Sequence, residues 1–382
     1  GVDRGERAGV DRGERAGVDR GERAGGFWHA LATRVTRRPL VAGGVATALL
    51  LLLASPFLSL GFGTADDRIL PPTAPARQTQ EVIRQGFAAE ESDAVQIVSR
   101  GPAGDVGAYA AELSRLPGVA QVDSAAGSYA AGARSGDGEP GRFAGTRGTW
   151  LSVVPSAGAL AEDPVRLVEA VRAVEPPFAV LVGGYPAELA DYRASVVGRL
   201  PLVLGLMLGV TFALLLAMTR SVLIPVKATL LNLLSMGVML GALVWIYQQG
   251  HLSGLLGFTP TGTLDPSIPI LMLCVAYGLS MDYEVFLLSR IQEEYERTGD
   301  AADAVAAGLQ RGAPLITAAG GILALSFAAY ATARVTFVQM LGVGMAVAVL
   351  VDATVIRAVL VPSLMRLAGP LNWWPGKPPE RR

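Results

Sequence analysis

Charged residues are scarce in this chain, and their scarcity excludes several classes of protein. Only 17% of the 382 residues are charged, whereas 51% are hydrophobic, and the mean hydropathy is +0.41. Ordinary soluble domains carry more charge than this, so the composition indicates a multispanning membrane protein. The formal net charge is −1, which gives nucleic acid no electrostatic reason to bind.

Cysteine and histidine are almost absent. The single cysteine, Cys274, cannot form an intrachain disulfide, and its apolar surroundings predict a small core residue. The two histidines, His29 and His251, lie outside the long apolar runs, and no nucleophile–base set is visible. We therefore expect neither an enzyme nor a metal site.

Long apolar runs are abundant instead. Six of them reach the ~20 residues that a bilayer core requires, so we predict six membrane helices. They are Pro39–Leu60, Leu200–Thr219, Ser221–Gln249, Pro266–Ser289, Gly312–Ala333 and Val335–Leu364.

Basic residues predict the orientation of these helices. They concentrate on one side of the alternating runs, whereas the short loop 251–265 on the other side holds no lysine or arginine. The positive-inside rule then places both termini in the cytoplasm and residues 61–195 outside it. The residues on the predicted inner side are Arg34, Arg37, Arg38, Arg220, Arg290, Arg297, Arg311, Arg366, Lys377, Arg381 and Arg382.

The chain divides by composition into five segments. Residues 1–34 contain three identical copies of an eight-residue charged, Gly-rich repeat, which predicts a disordered tail. The first amino acid is not Met, which suggests a processed or incomplete sequence. The remaining segments are a first membrane helix (35–60), an outer domain (61–195), a five-helix bundle (196–366) and a cytoplasmic tail (367–382).

The outer domain shows the order strand, helix, strand, strand, helix, strand. This order is typical of a ferredoxin-like α+β domain, in which both helices pack on one face of an antiparallel sheet. A Gly-rich stretch, Gly132–Gly148, is interpreted as a flexible loop; its acidic part, Ser135–Gly141, does not have the spacing of an EF-hand. The predicted elements are Val95–Val98, Asp105–Leu116, Val119–Asp123, Thr149–Val154, Pro164–Val174 and Ala179–Gly183.

Asp282 is the most informative residue, because it lies far inside an apolar run. A carboxylate near the middle of a membrane helix costs about 2.5–3.5 kcal/mol on insertion scales, so such a residue usually serves a function. Desolvation favours its protonated form, which suits it to bind and release protons. Tyr283 points about 100° away around the helix and is expected to address a different neighbour. The alternative is that Asp282 is a hydrogen-bonded polar residue in the core of the bundle, where it only holds helices together.

Other charged residues in the runs admit simpler interpretations. Glu284 is either a functional residue or one that reaches headgroups and water. Asp352 and Arg357 are five residues apart, a spacing that disfavours a direct pair within an α-helix. We therefore expect Asp352 to meet another helix, and Arg357 and Lys227 to extend towards the membrane surface.

Small residues recur at the spacing of close helix packing. Gly205 with Gly209, and Gly237 with Gly241, both form G-x-x-x-G, a pattern that allows two membrane helices to approach closely.

Three motifs stand out around these residues: the block Gly278-Leu-Ser-Met-Asp-Tyr-Glu-Val-Phe-Leu-Leu-Ser-Arg290, the stretch Gly342–Arg357 and the tail that ends at Asn372-Trp-Trp374. Together they resemble the MMPL family of the RND transporter superfamily. The likeness covers about residues 35–376, and the order of elements is similar to one of the family's two tandem repeats, the C-terminal one.

The resemblance implies export of lipids or other hydrophobic molecules, with the proton gradient as the energy source and no other cofactor. It also implies that Asp282 and Tyr283 form a proton relay, supported by Glu284, Asp352 and Arg357. The family completes its relay with a similar pair in the other repeat, which these 382 residues do not contain. The chain is then a fragment, a half that needs a separate partner, or a half that pairs with itself.

Two rival functions stay open from the sequence. The bundle could be a membrane scaffold or lipid sensor that transports nothing, or an inactive part of a transporter. The first rival predicts that Asp282→Asn is tolerated, whereas the transporter hypothesis predicts that this variant is inactive.

Overall fold

The computed structural model describes residues 28, 30–31, 33–63, 66–86, 93–101, 105–156, 158–159, 164–299 and 301–375. The triple repeat, His29 and residues 376–382 of the predicted cytoplasmic tail lie outside these ranges, so the expectations for them stay predictions. Two compact units divide the chain: Gly1–Pro71 with Val203–Arg382, and Pro72–Leu202.

Six helices in the described residues are long and apolar enough to cross a membrane, which confirms the six predicted spans. Several extend beyond the predicted apolar runs, because the helix continues through adjoining segments that also contain polar and charged residues. We number these spans in chain order: Pro39–Ser59, Tyr185–Thr219, Leu223–Gln248, Ser267–Thr298, Asp303–Thr332 and Thr336–Trp373.

The third and sixth spans lie at the centre of the bundle, whereas the second is almost entirely exposed. The first span packs against the third, and the fourth packs against the fifth. Gly241 allows the first and third spans to approach closely, because a Cβ built on it would lie 2.4 Å from the carbonyl oxygen of Leu53. Gly205 and Gly209 face open space, with nothing within 4 Å of such a Cβ.

Two spans contain a π-helical segment. The third changes from an α-helix, Leu223–Leu243, to a π-helix, Val244–Gln248. The sixth begins as an α-helix and passes through a nine-residue π-helix before it ends in a second α-helix and a 3₁₀ turn. Its four parts are Thr336–Val351, Asp352–Leu360, Val361–Ala368 and Gly369–Trp373.

The other unit contains a seven-stranded antiparallel sheet. The strands are β1 Val95–Arg100, β2 Val119–Ser124, β3 Gly127–Ala130, β4 Ala133–Gly136, β5 Ala144–Gly145, β6 Gly148–Pro155 and β7 Val180–Gly183. They follow the order β4-β3-β2-β6-β1-β7, and β5 pairs with the N-terminal end of β6.

The core of this unit confirms the ferredoxin-like prediction. The order β2-β6-β1-β7 is that of a split βαβ fold, and helices Val106–Leu113 and Pro164–Ala173 occupy the two crossover positions. Ile97 of β1 lies opposite Leu151 of β6, and both belong to one core that includes side chains of both helices.

The Gly-rich stretch 132–148 was predicted to be a loop, and this was wrong. It contains β4, the helical turn Pro140–Phe143 and β5. Strands β3 and β4 form a hairpin whose two turn residues, Ala131 and Gly132, both have positive φ, at 50° and 82°. Two positive φ values are typical of a type I′ turn, whose twist matches that of the flanking strands.

Candidate functional site

A buried ion pair lies in the π-helical part of the sixth span. Arg357 donates to one oxygen of Asp352, Oδ2, from Nε at 3.1 Å and from Nη2 at 2.7 Å. Both residues are 4% exposed. A charged pair removed from solvent in this way is costly unless its geometry is good, and here two donors meet the same carboxylate oxygen.

Two predictions about this pair were wrong. The spacing of five residues disfavours contact in an α-helix, but the hydrogen bonds of a π-helix join residues five apart and so place Asp352 and Arg357 on one face. Arg357 also does not extend to the membrane surface, because it is held inside the bundle by Asp352 and by a second acceptor on the fourth span.

Arg357 connects the sixth span to the fourth. Its Nη2 donates to the backbone carbonyl of Ser280, and its Cζ lies 5.6 Å from the centre of the Tyr283 ring. A guanidinium above an aromatic face is attracted by the ring's electron density. The positive charge of Arg357 therefore contacts both an acid of its own helix and one of the predicted relay residues.

A chain of side-chain hydrogen bonds continues from Ser280. Its hydroxyl donates to Oδ1 of Asn232 at 2.6 Å, and Nδ2 of Asn232 lies 3.3 Å from Oε2 of Glu284. Asn232 and Ser280 are buried, on the third and fourth spans. Polar groups placed this deep are stable only when they are hydrogen-bonded to one another, as these are.

Glu284 is part of this network and does not reach water or headgroups. It is 7% exposed, and it falls on the buried stripe of the fourth span with Ser280, one turn before it, and Leu288, one turn after. Residues four apart share one face of an α-helix. Of the two acids in this stretch, the structure therefore buries Glu284.

Asp282 lies on the opposite face of the same helix. It is two residues from both Ser280 and Glu284, a rotation of about 200°, so its side chain is exposed on the surface of this chain. Within the described residues, no hydrogen bond or ion pair joins Asp282 to Tyr283. Cys274 and Gly278 precede Asp282 by two turns and one turn on this exposed face.

Cys274 was predicted to be a core residue, but it is exposed. The apolar run around it did not reveal which face of the helix it occupies. Its position two turns from Asp282 follows from the same four-residue period that buries Glu284.

A second set of polar side chains lies at one end of the bundle. Here the start of the third span meets the C-terminal 3₁₀ turn, Gly369–Trp373. Lys227 donates from Nζ to Oδ1 of Asn372, and its side chain lines the same pocket as Glu284. Lys227 was expected to extend towards the membrane surface. The structure instead places it in a half-buried pocket with a side-chain acceptor.

A small cavity adjoins the ion pair. It is lined by Asp352, Ser235 and Tyr283, and two of its polar atoms, Oδ1 of Asp352 and Oγ of Ser235, are buried without a protein partner. Such atoms supply acceptor and donor capacity beside Tyr283, one of the two residues predicted to form the relay.

Sequence reasoning missed Asn232, Ser235, Lys227 and Asn372 as members of the site. The uncharged ones resemble the many polar residues that membrane helices tolerate, and nothing in their spacing marks them. Lys227 stands out only as the single charge of its apolar run. A helical wheel shows that Ser280 and Glu284 share one face of the fourth span, but only the structure shows that this face is the buried one.

Comparison with protein families identifies the group to which this site belongs. A family model described as the MMPL family matches residues 68–382. The chain belongs to the MMPL family. Among curated proteins, this MMPL chain is 36% identical to the Streptomyces coelicolor membrane protein SCO6666 over 361 residues, which is 92% of the chain and 47% of that relative.

Two mycobacterial relatives of this MMPL chain are named for transport. The trehalose monomycolate exporter MmpL3 of Mycobacterium tuberculosis is 32% identical over 91% of the chain and 37% of its own length. The heme uptake protein MmpL11 of the same organism is 34% identical over 91% of the chain and 36% of its own length. The chain thus spans less than half the length of each of these relatives.

Proposed function

We propose that this MMPL chain is one half of an exporter of lipids or other hydrophobic molecules, driven by the proton gradient. The observation that carries the proposal is the buried network of Asp352, Arg357, Ser280, Asn232 and Glu284 inside a six-span bundle. Ionisable groups at this depth in membrane proteins commonly belong to proton or ion pathways. The relatives named for trehalose monomycolate export and heme uptake support transport as the class of function.

In the proposed mechanism, Asp282 receives the proton at the exposed face of the fourth span. Tyr283, the next residue, carries the effect to Arg357 through their ring–guanidinium contact. Protonation of Asp282 removes the negative charge beside Tyr283; this change weakens the contact of the fourth span with Arg357 and lets the sixth span shift against the fourth. The membrane potential adds about 2.3 kcal/mol per charge per 100 mV to such a step.

We propose the orientation that the basic residues indicate. The termini and the end of the bundle that holds Lys227 and Asn372 face the cytoplasm, and the ferredoxin-like unit lies outside it. The proton then crosses from the outer side towards Glu284. Cysteine accessibility tests this orientation, since a reagent that cannot cross the membrane should label Ser128→Cys in β3 and leave Thr298→Cys unlabelled in intact cells.

The face of Asp282 is proposed to be covered by a second six-span half. An ionisable residue facing lipid near the middle of a span costs about 2.5–3.5 kcal/mol, so this face is unfavourable when it meets lipid. Its neighbours Cys274 and Gly278 are small, and nothing lies within 4 Å of a Cβ built on Gly278. Small residues allow the backbone of another helix to approach. The lengths of the relatives support the same conclusion, because each has room for a second half.

The single cysteine reports directly on this face. If the second half is another copy of this chain, mild oxidation of membranes should convert Cys274 to a disulfide-linked dimer, and Cys274→Ser should prevent it. If the second half is a different chain, Cys274 stays monomeric and is protected from a lipid-dissolved thiol reagent only when that chain is co-expressed. Reaction of Cys274 with the reagent under both conditions contradicts the covered face.

Proton flux tests the relay. The chain, with its second half or as a self-paired assembly, is reconstituted into vesicles that contain a pH-sensitive dye, and an acid pulse is applied outside. Asp282→Asn should reduce the flux at least about 100-fold, as expected when an essential proton-transfer group is removed. Glu293→Gln is the matched control, because Glu293 is an exposed acid of the same helix in a surface pair with Arg290.

An unchanged flux in Asp282→Asn would contradict the relay. Loss of flux together with unchanged export of lipid in cells would favour a carrier that the proton gradient does not drive. A bundle that binds lipid but shows neither flux nor export in any variant would support the scaffold or sensor.

A further inference from the structure

The C-terminal 3₁₀ turn is anchored to the bundle through Asn372 and its neighbours. Trp373 is 5% exposed and stacks on Tyr295 of the fourth span with ring centres 5.0 Å apart. The backbone carbonyl of Trp374 accepts a hydrogen bond from the amide of Val222, and the hydroxyl of Ser221 donates to the carbonyl of Asn372. These contacts fix residues 369–375 against the start of the third span.

Asn372 itself is 1% exposed, and the orientation of its amide is determined by its partners. Nδ2 donates to the carbonyls of Met365 and Gly369, at 2.7 Å each. An amide nitrogen is a donor and the oxygen an acceptor, so the oxygen must point the other way, where Lys227 Nζ donates to it. Asn372 is therefore a rigid acceptor for the one cation of the third span.

Lys227 and Glu284 line one pocket but form no ion pair within 4 Å. Lys227 is instead hydrogen-bonded to Asn372, while Glu284 is hydrogen-bonded to Asn232 on its other side. From these contacts we infer that Asn372 is a positioning residue: it holds Lys227 away from a direct salt bridge with Glu284, so that Glu284 remains able to take up and release a proton. The inference rests on the proposed function, because it concerns how protons pass the end of the same network.

The sixth span contributes three charged residues near this pocket: Asp352 and Arg357, which neutralise each other, and Arg366, which is exposed. The fourth span also packs on the third, and most of its other charged residues are paired with one another or with a neighbour. Arg290 pairs with Glu293, Arg297 and Arg311 pair with Glu294, and Glu296 accepts from Gln292, whereas Asp282 lies on the opposite, exposed face. The first span and the turn Gly369–Trp373 contain no charged residue. Lys227 is thus the cation whose position can alter the charge on Glu284 from this side.

The test measures the pH at which proton flux is half-maximal, in the vesicle assay described above. Asn372→Ala frees Lys227 to form a salt bridge with Glu284, which favours the ionised carboxylate; the midpoint should fall by about one pH unit or more. Lys227→Gln removes the cation, so the midpoint should rise. The double variant Asn372→Ala/Lys227→Gln should have the midpoint of Lys227→Gln alone, because Asn372 acts only through Lys227.

A structural role for Asn372 predicts a different pattern. If Asn372 only stabilises the turn, Asn372→Ala should lower the flux at every pH without moving the midpoint, and should do so equally in the Lys227→Gln background; this would overturn the inference. Trp373→Ala is the matched control, since it weakens the turn through loss of the Tyr295 stack but leaves the acceptor of Lys227 in place. It should lower the melting temperature and leave the midpoint unchanged.

Two further results separate this inference from the proposed function. A wild-type chain without any proton flux contradicts the proposed function first. A wild-type flux whose midpoint is the same in Asn372→Ala contradicts only the role of Asn372.

Discussion

The buried pair of Asp352 and Arg357 should be strongly coupled in stability, and substitutions can measure this. Arg357→Met removes both donors of Asp352, and Asp352→Leu leaves Arg357 without its carboxylate. Removing one partner of a buried pair costs about 3–5 kcal/mol, because the other charge stays uncompensated. We expect Asp352→Leu to be the worse variant, since a carboxylate can be neutralised by a proton whereas a guanidinium stays charged.

The double variant Asp352→Leu/Arg357→Met should recover much of this loss. Replacement of a buried pair by apolar residues of similar volume is often neutral in stability. The assay is unfolding of the purified chain in mixed detergent micelles as the fraction of denaturing detergent increases. It is followed by tryptophan fluorescence, to which the buried Trp373 and four other tryptophans contribute. The double variant should be within about 1–2 kcal/mol of the unsubstituted chain, while its proton flux remains low.

Glu293→Gln provides the baseline for a charge pair on the same bundle. Arg290 and Glu293 are 3.0 Å apart, but their side chains are 46% and 61% exposed, so the loss should be within about 1 kcal/mol. A double variant at least as unstable as the worse single variant would contradict the expected recovery. Single losses that simply add in the double variant would mean that each side chain stabilises the bundle through packing alone.

Three more outcomes follow from other parts of the structure. Gly241→Ala should lower the melting temperature, because its Cβ would lie 2.4 Å from the backbone oxygen of Leu53, whereas Gly205→Ala should have no effect because nothing lies within 4 Å. Leu151→Ala, in the fully buried centre of the sheet, should destabilise the ferredoxin-like unit by about 2–5 kcal/mol in a denaturant titration. Asn232→Leu should preserve the helical circular dichroism spectrum but reduce proton flux by about tenfold or more, because it breaks the hydrogen-bonded chain to the buried acid.

The architecture could be predicted because it depends on two patterns that can be read from the sequence: the apolar runs and the order of strands and helices. Each span is a run of apolar residues longer than a bilayer requires, and the order of strands and helices around Ile97 and Leu151 allows few folds. The hairpin at Ala131 could not be predicted in the same way. Its turn uses an alanine at positive φ, where glycine or asparagine is expected.

The site was only partly accessible from sequence, for two physical reasons. The first is helix phase: Asp282 and Glu284 are equally unusual as membrane acids, and only the position of the buried stripe distinguishes them. The second is helix type, since the contact between Asp352 and Arg357 depends on a π-helix. Amino-acid composition does not predict a π-helix, because a π-helix is a local response to packing.

The same π-helix has a consequence for the length of the sixth span. A π-turn corresponds to one residue inserted into an α-helix, so the residues before Asp352 and after Leu360 belong to two apolar patterns that are one residue out of phase. Deleting one residue between Ala353 and Ile356 would shorten the spacing of Asp352 and Arg357 to four, which an α-helix accommodates on one face. A deletion at this point would therefore leave the later side chains on their present faces. A deletion elsewhere in the span would rotate all later side chains by about 100°. Homologous chains that are one residue shorter in this stretch should therefore retain both the acid and the arginine.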